Sequence, residues 1–125
     1  MIESRKFVEI LAWGRKKAGE GGSISSIEFP PRLVEGYNRI KGSFSSNKQI
    51  MVVDIYQGLT DEPVILPVNL YPNNPFTRFE CLFYDTNVYG NLFDIPVCGK
   101  YAQVKVILGE PIGIDDWFNI WVGVY

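Results

Sequence analysis

Histidine is absent from all 125 residues, and that absence removes a large share of the usual catalytic repertoire. Without imidazole there is no Ser-His-Asp triad, no Cys-His pair and no His-bearing metal site. Only two cysteines are present, Cys81 and Cys98, so a four-thiolate zinc site is also excluded. An intracellular origin would leave both thiols reduced, and buried small hydrophobes are their expected role. No GxxxxGK[ST] loop and no glycine-rich turn after a strand offers a phosphate cradle. Uninterrupted apolar runs fall well short of the roughly 18 to 20 residues a membrane helix needs, so no membrane span is expected. The opening "MIESRKFVEILAWGRKK" carries charge on both sides of a short apolar run and lacks a small-residue cleavage site, unlike a secretory signal.

What remains suits one globular domain. The hydrophobic fraction of 46% and charged fraction of 21% exclude disorder and fibrous repeats. Eight Phe, seven Tyr and three Trp favour strands, and twelve Gly with eight Pro supply turns. Charge is unevenly placed along the chain. Residues 1–50 hold nine Lys or Arg against five Asp or Glu, while residues 51–125 hold three against nine. Such a division can draw neighbouring copies together through complementary charge.

Residues 4–17 form the best helix pattern. Ser4 caps it, Phe7, Ile10, Leu11 and Gly14 share a stripe, and Arg15, Lys16 and Lys17 sit where cations complement the dipole. A strand over 6–13 is the alternative, since Phe7, Glu9, Leu11 and Trp13 alternate with Val8, Ile10 and Ala12. The helix is preferred. "AGEGGSISS" follows as a flexible tether. The expected organisation is therefore an N-terminal arm over 1–22, a short amphipathic helix plus linker, followed by a β domain over 23–125.

Within that domain, strands are expected at 24–29, 37–44, 49–57, 64–71, 78–84, 92–97, 101–108 and 117–124, separated by turn-forming pieces such as "LYPNNPF" and "GEPIGIDD". About eight short strands point to an all-β fold, a β-sandwich of jelly-roll type. "YAQVKVIL" reads as half-buried, with Ala102, Val104, Val106 and Leu108 inward. "QIMVVDIYQ" reads as covered on both faces, and Pro67 should place its strand at an edge or bulge. The closing "DDWFNIWVGVY" turns Phe118, Ile120, Val122 and Val124 one way, and Trp117, Asn119, Trp121, Gly123 and Tyr125 the other. Trp117, Trp121 and Tyr125 then share a face, spread over about 13 Å from each four-residue step to the next.

Candidate chemistry is sparse. Asp115 with Asp116, and Asp61 with Glu62, are paired acids of the kind used by glycosidases or calcium sites, but neither matches a calcium loop. Adjacent acids in a turn are ordinarily solvated. A thiol nucleophile would have no imidazole base. Arg15, Lys16, Lys17, Arg39, Lys41 and Lys48, with Tyr37 and Phe44 for stacking, allow at most local nucleic-acid contact by the basic arm in a chain of pI near 5.1. No cofactor, metal or catalytic residue is expected.

The expectation is a non-enzymatic structural or assembly protein acting through protein contacts, as a homo-oligomer or in a larger assembly. Its contact residues would be Phe7, Ile10, Leu11, Trp13, Arg15, Lys16 and Lys17 on the arm, and Trp117, Trp121 and Tyr125 on the last strand. The combination of one β-sandwich, a tethered arm and no catalytic set resembles small virion proteins such as capsid and decoration subunits. The alternative is a carbohydrate-binding module that stacks sugars on the aromatic face of the last strand.

Overall fold

The computed structural model describes residues 9–21, 24–49, 51–58 and 76–125. Among these residues ten strands form, in chain order β1 (Glu9–Lys16), β2 (Ile27–Glu28), β3 (Arg32–Leu33), β4 (Arg39–Ser46), β5 (Met51–Gly58), β6 (Phe76–Glu80), β7 (Leu82–Asp85), β8 (Val88–Pro96), β9 (Tyr101–Leu108) and β10 (Phe118–Val124). They build two antiparallel sheets, ordered β1-β10-β4-β8-β7 and β2-β9-β5-β6, with β3 also paired to β9. The fold is the expected all-β sandwich.

Its winding follows from the pairing. With the short extra strands β3 and β7 set aside, the remaining eight pair first with last, second with seventh, third with sixth and fourth with fifth: β1 with β10, β2 with β9, β4 with β8, and β5 with β6. Pairing of β10 with β4 and of β5 with β9 then rolls this ribbon into two sheets. That is jelly-roll winding.

Alternation of side chains supplies the core between the sheets. Phe118, Ile120, Val122 and Val124 of β10 are buried, as are Met51, Val53 and Ile55 of β5 and Ala102, Val104 and Val106 of β9. Ile40, Phe44 and Phe93 come from the strands beside β10. Gly42 keeps that layer thin: a Cβ there would come 2.5 Å from the Phe93 ring and 2.8 Å from the Trp121 carbonyl oxygen. β6 and β7 run almost continuously but belong to different sheets, and the chain changes sheet at Cys81, which is buried and whose N–H donates to the Met51 carbonyl at 3.2 Å.

Several expectations need correction. Residues 9–16 form no helix. They are the first strand of the roll, bulged between Ile10 and Ala12. Ala12, Gly14 and Lys16 fall opposite the core residues Val122, Ile120 and Phe118, and Leu11 is buried at the bulge. Cross-strand burial outweighs the helical stripe because β10 offers a complete partner edge. Cys98 is exposed, unlike Cys81, and both thiols are free. The strand at 64–71 with Pro67, the Asp61 and Glu62 pair, and Phe7 lie outside the described residues.

Because β1 completes the first sheet, deletion of residues 1–20 should abolish the cooperative thermal transition followed by circular dichroism. A truncated chain that melts like the full one would show that this strand is dispensable.

Candidate functional site

The outer face of the β1-β10-β4-β8-β7 sheet holds a trough of about 860 Å³. Its construction can be read from the register. One row across the sheet runs Trp13, Trp121, Ser43, Leu92, and the next runs Arg15, Asn119, Ser45, Gly90, Leu82. Residues directly opposite one another share a face, so both rows point away from the core. The middle of each row is small: Ser43, Ser45 and Gly90 make a low floor, and larger side chains stand on either side. Trp13 and Trp121 form one wall; Leu82, Phe83, Tyr84 and Leu92 surround the other. The walls at Trp121 and Leu92 stand two strand spacings apart, about 9.5 Å between backbones.

Gly90 is required for this shape. A Cβ there would press on the Phe44 carbonyl oxygen and sit 3.1 Å from the Ser45 Cα, both backbone atoms of the adjoining strand. At the far edge, β7 bulges between Phe83 and Asp85, and Tyr84 stands 82% exposed at the bulge. Leu92 is 79% exposed, Phe83 67% and Trp13 66%. Asn119 donates weakly to the Ser45 hydroxyl at 3.5 Å, and the Asn91 amide is turned to the Glu80 carbonyl at 3.1 Å. Arg15 is the one charged side chain among the described lining residues. It forms no ion pair with another described residue.

The ten residues expected to make contacts are thus divided. Trp13, Arg15 and Trp121 meet in the trough. Tyr125 lies beside it, its ring 6.5 Å from that of Trp121 and 4.9 Å from the Lys41 amine. Ile10 and Lys17 are exposed elsewhere on β1 and just after it. Trp117 is half-buried before β10, where its N–H donates to Asn47 at 3.0 Å, and it does not line the trough. Leu11 and Lys16 are buried in this chain's own fold. The Lys16 amine donates to the carbonyls of Asp116 at 2.6 Å, Ile114 at 3.1 Å and Lys17 at 3.2 Å. Leu82, Phe83, Tyr84 and Leu92 were not anticipated. Their signal lies in "NLFDIPV", where Leu92 shares the alternating face of Asp94, and in "ECLFYD", an apolar run on a strand too short to be central.

The paired acids at 115 and 116 have separate roles. Asp116 receives the Asn47 amide at 3.0 Å and the Gly113 N–H at 2.8 Å, and pairs with Lys48 at 3.1 Å. Hydrogen bonds from Asn47 and Gly113, helped by Lys48, stabilise its charged form and hold its pKa at about 2, against the ordinary 3.8. Asp116 therefore locks a turn, while Asp115 is exposed. Among the described residues no group of three or more His, Cys, Asp or Glu side chains is placed to hold a metal ion.

The opposite sheet presents a different outer surface. Asp54 is fully buried beneath Arg78, which grips both its carboxylate oxygens at 2.8 Å, and Lys105 pairs with Glu28 at 3.3 Å while lying 4.9 Å over the Tyr56 ring. No protein-family model matches this chain, and no curated protein matches it.

A depressed carboxyl pKa stabilises the fold above the unfolded value and loses that contribution as pH falls through the folded one. Between pH 3.8 and about 2 the native protein should therefore lose thermal stability more steeply than an Asp116→Asn variant. Parallel melting curves for the two proteins across that window would contradict the role given to Asp116.

Proposed function

We propose that this protein is a non-enzymatic assembly protein that docks another protein on the outer face of its β1-β10-β4-β8-β7 sheet. The contrast between the two outer faces carries the reading. One is laced with ion pairs of the kind that keep a surface in water. The other gathers Trp13, Leu82, Phe83, Tyr84 and Leu92, all more than half exposed, around a hollow whose described lining carries a single charge. Apolar surface grouped in this way is characteristic of interaction sites. Aromatic anchors flanking a pocket are typical of the residues that dominate protein interfaces. Leucine and phenylalanine in the wall favour a protein partner, because a sugar's hydroxyl groups gain little from aliphatic contact.

The winding adds to this. Two-sheet jelly rolls build viral capsid and lectin domains. A small virion component, a capsid or decoration subunit, is the specific role we favour, and it rests on architecture together with the contact face. Fold alone never assigns function. A second reading, a carbohydrate-binding module, draws support from the Ser43, Ser45 and Asn119 floor beside Trp13 and Trp121, which joins hydrogen-bonding groups to flat rings.

Substitution of two exposed wall residues, Leu92→Ser with Phe83→Ser, should shift the thermal midpoint only slightly, since surface changes typically cost about 0.5 kcal/mol or less each. The same variant should lose the assemblies that the native protein forms by light scattering. Native protein that stays monomeric and is retained on insoluble polysaccharide, with retention lost in Trp121→Ala, would replace the protein-docking reading with the carbohydrate one.

A further inference from the structure

The occupant of the trough can be sought on this chain itself. Among the described residues, two large apolar side chains are prominently exposed on the other sheet and its loops, Leu33 and Ile114. Leu33 follows Arg32, so its insertion would bring a second cation toward Arg15. Ile114, 57% exposed, precedes Asp115, an exposed carboxylate that forms no ion pair with another described residue. Trough and turn thus match in kind: apolar walls with a guanidinium that pairs with no other described residue, and an apolar tip with a carboxylate of which the same is true.

The turn is also held ready. Its backbone closes through Asp116 N–H to the Gly113 carbonyl at 3.1 Å, and the Asp116 carboxylate returns to the Gly113 N–H at 2.8 Å. The Ile114 carbonyl faces inward, accepting from Gly19 N–H at 2.6 Å and from Lys16 at 3.1 Å. A tip fixed in this way loses little freedom on docking, which favours binding.

We propose that the trough receives the Ile114 and Asp115 turn of a second copy of this chain, with Ile114 seated between the aromatic and aliphatic walls and the Asp115 carboxylate on Arg15. The inference rests on the reading of this face as a protein-docking site. Turn and trough are different surfaces, so the contact is heterologous, and copies add head to tail into rings or open chains. One tip in one trough is smaller than a standard interface, so association is weak and depends on concentration.

Sedimentation equilibrium on the full chain, from about 10 µM to about 1 mM, tests this in the range expected of such a small contact. Native protein should gain mass with concentration. Arg15→Asp and Asp115→Arg should each weaken association by about tenfold or more, and the double exchange should restore it, because the charge pair is rebuilt in reverse. Ile114→Ser should weaken it as well. Failure of the double exchange to recover would overturn the pairing. If Leu92→Ser abolishes association while Asp115→Arg and Ile114→Ser leave it intact, the docking face stands and the turn is excluded as its occupant. A native protein that stays monomeric throughout overturns the self-docking inference, while the face itself is still judged by its own wall variants and by the polysaccharide test.

Discussion

A single buried ammonium group organises much of this molecule. Lys16 reaches from an inward position on the first strand to the carbonyls of Ile114 and Asp116, just ahead of the last strand. A charged amine in a core is costly unless fully engaged, and here carbonyl oxygens accept from it. The result fixes three things together: β1 against β10, the turn at the end of the sandwich, and, through β1, the positions of Trp13 and Arg15 on the outer face. Of the three cations expected to make contacts at 15–17, Lys16 is the one the fold consumes.

The trough depends on what is missing from its centre as much as on what lines its sides. Every strand of the sheet delivers an outward side chain at every second register position, so a hollow arises only where those side chains are small. Ser43, Ser45 and Gly90 provide that, and the glycine cannot gain a side chain without pressing on the neighbouring backbone. The concavity therefore follows from close approach of β4 and β8, which are part of the core's construction. The opposite sheet fills equivalent outward positions with charge, as in the Asp54 and Arg78 pair.

Much of the architecture was legible beforehand, for reasons that particular segments make plain. Period-two alternation in "YAQVKVIL" and "FNIWVGV" is unambiguous, and both segments are strands with the expected inward faces. Gln103 is an exception on the wet face of its strand; it is buried because its amide donates to the Phe29 carbonyl at 3.0 Å. The first strand was misread because Phe7, Ile10, Leu11 and Gly14 fit a helical stripe as well as a bulged strand, and only the partner edge of β10 decides between them. The candidate site was half visible. Trp13, Arg15 and Trp121 could be named, but their convergence with Leu82 and Leu92 requires strand order, a long-range property that local pattern does not contain. Trp117 was expected to join its neighbours four and eight residues on, yet the strand begins one residue later and its backbone is held by Asn47.

The pairing of first and last strands also gives the sandwich two unlike poles. Glu9 lies opposite Val124 at one end of the pair, and Lys16 lies opposite Phe118 at the other, where the Ile114 turn is tied down. A label or fused domain attached near Glu9 or after Tyr125 would accordingly project from the pole remote from that turn. An addition after Tyr125 would thus leave the Ile114 turn clear while emerging beside the trough, whose wall residue Trp121 lies 6.5 Å from the Tyr125 ring.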